Sequence, residues 1–270
     1  MARTTTAPDE QFVVTIARHG SRLAQRSEVF LNYALYGQDD APMQMDYFLW
    51  IIRDAQRTIL VDTGYSQRGA ESRGRDILTD VPSLLRQLDV DPVTVELVIV
   101  SHAHYDHIGN LDAFPNARFL VSQAELDFWN GPNAEKPLFH HSVEDDEISY
   151  LNRLIEADRV DVFRGEAQPV PGVEVIEVGG HTPGQAVVIV QTAAGPVLLA
   201  SDAVHYYEEL EADMPFTSVT DVVGMYDAFQ TIRDLVASGR VTHVVSGHDP
   251  RTLERFTPVP GMEGTAATIG

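Results

Sequence analysis

Short apolar runs alternate with segments of helical periodicity along most of the chain. Residues 12–17 and 47–61 are rich in β-branched and aromatic side chains, and we predict that they form early strands. Later apolar runs with the length of buried strands lie at residues 95–100, 173–178, 198–200 and 241–246. This alternation of strands and helices is typical of a layered α/β architecture.

Three segments carry signals for the start of a helix. Asp80 precedes a first turn that contains a proline, and the helix is predicted to run to about Leu88. Ser122 and Ser218 are each followed three positions later by an acidic residue, which is capping-box spacing. After Ser218, apolar residues recur at helical spacing as far as Gly239. These residues are Val222, Tyr226, Phe229, Ile232, Leu235 and Val236.

The segment that follows the apolar run 95–100 concentrates metal-binding side chains. It contains the imidazoles of His102, His104 and His107 and the carboxylate of Asp106. Neutral imidazole and carboxylate are ligands that suit Zn, Fe, Co or Mn. The sequence therefore predicts a metal site where a buried strand runs out into a loop, a common position for catalytic groups.

Three further strand ends each provide one ligand-type residue. His181 lies in a turn rich in glycine and proline, Asp202 follows the run 198–200, and His248 follows the run 241–246. Taken singly, these residues are explained as a turn histidine or a capping aspartate. Their joint occurrence with the His-rich run indicates one metal centre rather than an adventitious patch.

The chain resembles the metallo-β-lactamase superfamily over about residues 60–250. The resemblance rests on the order of the turn Asp62–Gly64, the His-rich run 102–107, and then His181, Asp202 and His248. The resemblance implies a four-layer αβ/βα sandwich with two divalent metals at one edge of the paired sheets. Zinc is the first choice of metal, and Fe, Co and Mn are alternatives. The resemblance assigns His102, His104 and His181 to one metal, Asp106, His107 and His248 to the other, and Asp202 to both.

The segments around His181 and Asp202 also resemble the N-acyl homoserine lactonase branch of that superfamily. This implies a hydrolase that opens a small lactone, expected to be an N-acyl homoserine lactone, by attack of a metal-bridging hydroxide. Asp106 is a candidate proton shuttle as well as a ligand. Three residues after the bridging aspartate, members of that branch carry a tyrosine that binds the carbonyl oxygen. This chain has His205 there and Tyr206 next to it, and both are candidates for that contact.

Other functions remain open at this point. One is another ester or thioester hydrolase of the same fold, an arylesterase or a glyoxalase-II-like enzyme. A persulfide dioxygenase with one iron is a further alternative, and the second set of ligands argues against it. A non-catalytic binding protein would be expected to have lost ligands, and none of the set is missing.

Composition narrows the choice of partners. The 40 acidic residues exceed the 19 lysines and arginines, and the formal charge of −21 disfavours a nucleic-acid substrate. The chain has no cysteine, which excludes a thiolate ligand or nucleophile. No apolar run reaches the length of a membrane span, and Met1–Asp9 does not resemble a secretion signal, so we expect a cytoplasmic protein.

The remaining expectations concern the surroundings of the site. The whole chain, 1–270, is predicted to form a single domain. Its segment 18–46 is predicted either to cover the substrate or to form the contact of a homodimer. Apolar side chains in segments after the ligand-bearing turns are predicted to line an apolar cleft for the substrate. They are Phe128, Trp129, Leu138, Phe139, Met214 and Phe216.

Overall fold

A computed structural model describes residues 11–270 of the chain. Its strands are β1 Val13–Gln25, β2 Pro42–Arg53, β3 Thr58–Val61, β4 Asp76–Ile77, β5 Leu97–Ile99, β6 Arg118–Ser122, β7 Val160–Phe163, β8 Glu166–Val170, β9 Val173–Glu177, β10 Ala186–Thr192, β11 Gly195–Leu199, β12 His243–Val245, β13 Thr257–Pro258 and β14 Ala266–Ile269.

The strands form two sheets. Within the described residues, the larger sheet has the order β13-β14-β1-β2-β3-β5-β6-β7, with β4 beside β1, and the smaller has the order β12-β11-β10-β9-β8. Strands β3, β5, β6 and β7 are parallel to one another, as are β11 and β12. The loops that follow these parallel strands therefore leave each sheet at the same edge.

Helices lie between the strands in the sequence. They are α1 Arg26–Val29, α2 Gln67–Arg73, α3 Val81–Gln87, α4 Tyr105–Ile108, α5 Gln123–Trp129, α6 Pro137–His140, α7 Asp145–Glu156, α8 Tyr207–Ala212 and α9 Val222–Ala237. Short 3-10 helices occupy Tyr33–Tyr36, Pro92–Thr94, Leu111–Ala113, Ser201–Ala203 and Pro250–Arg255. None of the helices in residues 11–270 has the length and apolar character needed to cross a membrane.

Three apolar layers separate four layers of secondary structure. Trp50 of β2 and Val188 of β10 belong to the core between the two sheets. Leu84 of α3 and Leu151 of α7 cover the outer face of the larger sheet. Phe229 of α9 covers the outer face of the smaller sheet. The predicted four-layer αβ/βα sandwich is therefore confirmed.

The predicted strand over residues 47–61 is in fact two strands. A turn at residues 54–57 separates β2 from β3, which pair antiparallel. The carboxylate of Asp54 accepts hydrogen bonds from the backbone N–H groups of Gln56 and Arg57 at 2.8 and 2.7 Å. A side chain that bonds its own following backbone stabilises a turn, and this local interaction interrupts the apolar run.

Helix α9 begins three residues later than the sequence predicted. Asp221, not Ser218, caps it, because the Asp221 carboxylate accepts hydrogen bonds from the N–H groups of Val223 and Gly224 at 3.0 and 3.1 Å. The predicted apolar face was partly wrong as well, since Val222, Tyr226 and Val236 are exposed. The buried face consists of Met225, Ala228, Phe229, Ile232 and Leu235.

Candidate metal centre

The metal-binding side chains predicted from the sequence come together where strands of both sheets end. The His-rich run follows β5 of the larger sheet. His181 follows β9, Asp202 follows β11 and His248 follows β12, all in the smaller sheet. The candidate ligands therefore come from both halves of the sandwich.

Two groups of side chains could each hold a metal ion. In the first, ligand atoms of His102, His104, His181 and Asp202 all lie within 4.8 Å of one another. The second group, with the same spacing, consists of Asp106, His107 and His248. All seven side chains are buried. Asp202 and His248 also form such a group with His205.

The carboxylate of Asp202 lies between the two groups. Its Oδ2 is 3.8 Å from His102 Nε2 and 3.4 Å from His181 Nε2. The other oxygen, Oδ1, is 3.2 Å from His107 Nε2 and 3.0 Å from His248 Nε2. Each oxygen therefore faces a different set of imidazoles, which is the arrangement of a carboxylate that bridges two cations.

The protonation of three of these histidines suits metal binding. Burial holds the pKa of His102 and His104 well below the usual value and lowers the pKa of His181 to about 3, so these imidazoles are neutral. Burial also acts to lower the pKa of His107, but the nearby carboxylates of Asp202, Asp62 and Asp106 outweigh it and raise that pKa well above its usual value. Such a concentration of carboxylates favours a cation beside His107.

The donor atoms themselves fit a cation. Within residues 11–270, the buried Nε2 atoms of His102 and His107 have no hydrogen-bond partner. Buried polar atoms without a partner are rare, because leaving them unsatisfied costs free energy. The imidazole and carboxylate donors, with no thiolate available, match the preferences of zinc and similar divalent metals.

Contacts to the other ring nitrogens hold the ligand histidines in place. Nδ1 of His107 lies 2.7 Å from the Asp62 carboxylate, which also accepts hydrogen bonds from the backbone and side chain of Ser101 at 2.8 and 2.7 Å. Nδ1 of His181 and of His248 lie 2.7 Å from backbone carbonyl oxygens, those of Ser218 and Asp46. Such contacts fix the tautomer and orientation of a metal ligand.

Asp62 has two structural roles beside the centre. It contacts His107 and it also shapes the turn, because its φ of 64° lies in the left-handed region. Asp is among the few residues other than glycine that adopt this conformation readily.

Glu125 supports the candidate site, and sequence reasoning missed it. Its buried carboxylate accepts hydrogen bonds from the N–H groups of Ala103 at 2.8 Å and Gly184 at 3.0 Å, and from the Trp129 indole at 2.6 Å. It therefore joins the loop of His102 and His104 to the loop of His181. A Cβ at position 184 would lie 2.4 Å from the Glu125 backbone nitrogen, so this close approach requires glycine.

The same glutamate explains why only half of the predicted capping box at Ser122 forms. The Ser122 hydroxyl caps α5 by accepting a hydrogen bond from the Ala124 N–H at 3.0 Å. Glu125 does not return to the cap, because its carboxylate is engaged by the two ligand loops. Only its burial distinguishes Glu125 from an ordinary capping residue, and burial cannot be seen directly in a sequence.

His205 and Tyr206 are buried beside the centre. Nε2 of His205 lies 2.9 Å from Asp202 Oδ2, its Nδ1 lies 3.2 Å from Glu209 Oε1, and its ring stacks on Phe216 at 3.8 Å. The Tyr206 hydroxyl donates a hydrogen bond to the Gln44 carbonyl oxygen at 3.0 Å. Neither side chain is among those that line the cleft described next.

A cleft of about 480 Å³ opens onto the centre. Side chains that line it include His104, Asp106, His181 and Asp202 of the candidate metal groups, together with Arg22, Glu28, Met45, Tyr47, Ser72, Arg73, Arg75, Tyr105, His141, Ser142, Glu144, Phe216, Thr217 and Ser218. Arginines, glutamates and hydroxyl groups therefore make up much of its surface.

The cleft is more polar than the sequence predicted. Of the apolar side chains expected there, Phe216 lines it, while Leu138 and Phe139 line an adjoining cavity of about 200 Å³ that also contains His104 and His181. Trp129 belongs to the core under the larger sheet, with Phe128 and Phe139 packed against it. Met214 is buried in the core cluster that contains Tyr206. Phe128, Trp129 and Met214 therefore contribute to the core and not to the wall of this cleft.

Comparisons with known proteins agree with this architecture. Residues 47–248 match the family model described as the metallo-beta-lactamase superfamily. Over 223 residues, the chain is 26% identical to an N-acyl homoserine lactonase from Bacillus sp, and the match covers 77% of this chain and 82% of that protein. It is also 26% identical over 181 residues to the N-acyl homoserine lactonase AttM from Azorhizobium caulinodans, covering 66% of each chain.

Solved structures share the fold. The chain is similar to a quorum-quenching N-acyl homoserine lactone lactonase, with a TM-score of 0.76, 21% identity, and coverage of 92% of this chain and 96% of that one. It is also similar to AidC, a dizinc quorum-quenching lactonase solved with a product, with a TM-score of 0.70, 19% identity and coverage of 90% of each chain. At these identities, the likeness establishes the fold alone.

Proposed function

We propose that this chain, which belongs to the metallo-beta-lactamase superfamily, is a metal-dependent hydrolase with two metals that opens a small lactone ring. The observation that carries the proposal is the position of Asp202, with one carboxylate oxygen facing each set of imidazoles. The relatives named N-acyl homoserine lactonase support that lactone class as the first substrate to test.

Each proposed metal has its own set of residues. His102, His104 and His181 would hold the first, Asp106, His107 and His248 the second, and Asp202 both. We propose zinc in both positions, and Fe, Co or Mn would suit the same donors. When bound, such a pair lowers the pKa of a bound water and polarises the substrate carbonyl. A site with one iron would leave the second set without a function.

A side chain of the protein must then transfer a proton from the attacking water to the leaving oxygen. Hydrolysis forms a bond from the water oxygen to the acyl carbon and breaks the bond from that carbon to the ring oxygen. The departing ring oxygen requires a proton, and one proton of the water must leave. Asp106 lines the cleft beside the centre, and we propose that it carries this proton from the water to the ring oxygen.

We assign His205 a positioning function through Asp202. Its ring lies between the carboxylates of Asp202 and Glu209, with Phe216 stacked on one face, and in this position it would restrict the orientation of Asp202. Direct contact of His205 or Tyr206 with the substrate carbonyl stays a prediction from the sequence.

We also propose how the rest of the chain contributes. The chain 1–270 would act as one catalytic domain in the cytoplasm. Its segment 18–46 contributes Arg22, Glu28 and Met45 to the cleft, which supports a substrate-covering function. Leu23 and Leu35 of the same segment are 73% and 81% exposed, which supports a homodimer contact.

The test combines metal content with ring opening of a medium-chain N-acyl homoserine lactone, followed by release of acid. We expect about two metals per chain and activity that a chelator abolishes. Asp202→Asn should lose metal and activity together, because it weakens the group shared by both sites. Asp161→Asn, at an exposed ion pair with Arg118, is the matched control. An Asp202→Asn protein with two metals and full activity would contradict the proposal.

A further inference from the structure

The cleft over the metal centre carries cationic groups that the proposed chemistry does not use. Arg22, Arg73 and Arg75 all line it. The chain has 19 lysines and arginines against 40 acidic residues, so positive groups are scarce. Three guanidinium groups at one cleft therefore require an explanation.

Arg73 has a structural explanation. Its NH1 contacts the Glu144 carboxylate, and its NH2 donates hydrogen bonds to the carbonyl oxygens of His141 and Val143 at 2.7 and 3.0 Å. These contacts fasten α2 to the loop before α7. The guanidinium group of Arg73 is therefore paired within the protein and is not available to a ligand.

Arg22 and Arg75 are not neutralised in this way. Nε of Arg75 donates to the Tyr105 hydroxyl at 3.2 Å, and its NH1 donates to the carbonyl of Arg73 at 2.7 Å. Nε of Arg22 has only the sulfur of Met45 as an acceptor, at 3.3 Å. Neither guanidinium forms an ion pair with a carboxylate of residues 11–270. Both are half-buried, so their charges are only partly hydrated.

The two guanidinium groups act on the same part of the cleft. Arg22 contacts Met45 and Arg75 contacts Tyr105, and both of these residues belong to one buried cluster with Tyr47. Tyr47 itself lines the cleft, and its hydroxyl lies 3.4 Å from that of Tyr105. Two positive charges therefore lie near one phenol at the cleft wall.

We propose that the substrate is a lactone with an anionic group, a carboxylate, that Arg22 and Arg75 bind while the ring lies over the metal centre. This inference rests on the proposed opening of a lactone ring, and it favours an anionic lactone over the neutral N-acyl homoserine lactones. A planar guanidinium matches a carboxylate in shape and charge, and such hydrogen bonds are stronger than neutral ones.

One further feature of the cleft agrees with an anionic substrate. Its glutamates are engaged, since Glu144 pairs with Arg73 and the exposed Glu28 accepts a hydrogen bond from the Gln25 N–H at 2.7 Å. The whole chain is strongly acidic, so its overall negative potential repels an anion. Local positive charge is therefore needed to bind one.

The experiment measures binding and hydrolysis separately. Binding is measured by calorimetry on zinc-loaded protein with a tetrahydrofuran carboxylate, which has no lactone bond to cleave, and with its neutral carboxamide. Hydrolysis uses the five-membered lactones that carry the same two groups. Arg22→Gln and Arg75→Gln are compared with Arg118→Gln, a control at an exposed ion pair outside the cleft.

We expect each cleft variant to lose about tenfold in affinity for the carboxylate, as for a hydrogen bond to a charged group. Affinity for the carboxamide should change less than about twofold, and the control should bind like the parent protein. The lysine variants Arg22→Lys and Arg75→Lys keep the charge but not the planar fork, and should lose less. They also provide the test if a glutamine variant fails to fold.

The outcomes separate this inference from the proposed function. If the cleft variants bind the carboxylate as tightly as the parent protein does, the inference is overturned, whatever lactones are cleaved. If the arginines bind the carboxylate but no lactone is opened, the inference on the anionic ligand stands and the lactonase proposal fails. Equal hydrolysis of both lactones, with unchanged KM in the cleft variants, would also contradict the inference.

Discussion

Asp62 shows how much of the centre depends on one side chain that is not a metal ligand. Its two oxygens contact Ser101 and the Nδ1 of His107, and its left-handed backbone places them there. The position therefore requires a residue that tolerates positive φ and also accepts hydrogen bonds on both oxygens.

We expect Asp62→Asn to keep the fold and to lower metal affinity about 10- to 100-fold. Asn tolerates the backbone conformation, but its amide nitrogen cannot accept a hydrogen bond from His107. Competition with a chromophoric chelator measures the affinity. Asp91→Asn, at the exposed cap of the 3-10 helix Pro92–Thr94, is the control. Equal affinities in the two variants would contradict the function assigned to Asp62.

The side chains that could hold a metal were recognisable in the sequence because residues of a ligand type follow several buried strands. The contacts that orient them were not. His181 and His248 are held by backbone carbonyl groups of Ser218 and Asp46, and a carbonyl has no signature in sequence. Glu125 looked like part of a cap, since nothing local shows that two distant loops would converge on it.

At the scale of elements, the local sequence offered more than one start for a helix, and tertiary contacts determine which one is used. Ser218 and Asp221 were both plausible helix caps. Asp221 caps α9, while the carbonyl oxygen of Ser218 holds His181. The strand positions were predictable because continuous apolar runs mark buried strands. Their exact limits depended on turns such as the one at Asp54.

Helix α7 contains a group whose ionisation opposes folding. Burial, with the charges of Glu144 and Asp106, raises the pKa of Glu147 from 4.5 to about 7, against the opposite effects of Ser66 and Arg73. Its Oε1 accepts a hydrogen bond from Ser66 at 2.7 Å, while the buried Oε2 has no partner in the described residues. The folded state therefore binds this proton more tightly than the unfolded state does.

This group should reduce stability as the pH rises from about 4.5 to about 7. Glu147→Gln removes the ionisation, so we expect it to stabilise the protein by about 1–3 kcal/mol at pH 8 and by less at pH 5.5. Urea unfolding at both pH values measures the difference. Glu156→Gln, at the exposed end of the same helix, is the control. A gain that did not depend on pH would contradict the prediction.

For the whole molecule, metal removal should cost stability as well as activity. Without cations, the carboxylates of Asp62, Asp106 and Asp202 are buried close together. Metal that binds only the folded state adds about 4 kcal/mol per site at a free concentration a thousandfold above Kd. We therefore expect a chelator to lower Tm by about 8 °C or more. Differential scanning calorimetry measures this, and stoichiometric zinc should restore the value. An unchanged Tm would contradict the metal assignment.

The division of the ligands between the two sheets has a consequence for the order of assembly. The larger sheet supplies the His-rich run, and the smaller supplies His181, Asp202 and His248. Neither half holds a complete set. Full coordination must therefore wait until the sheets have docked, which makes metal capture a late event in the maturation of the chain. Bound ions would then link the two sheets to each other. Loss of metal would therefore be the earliest measurable step when the sheets separate.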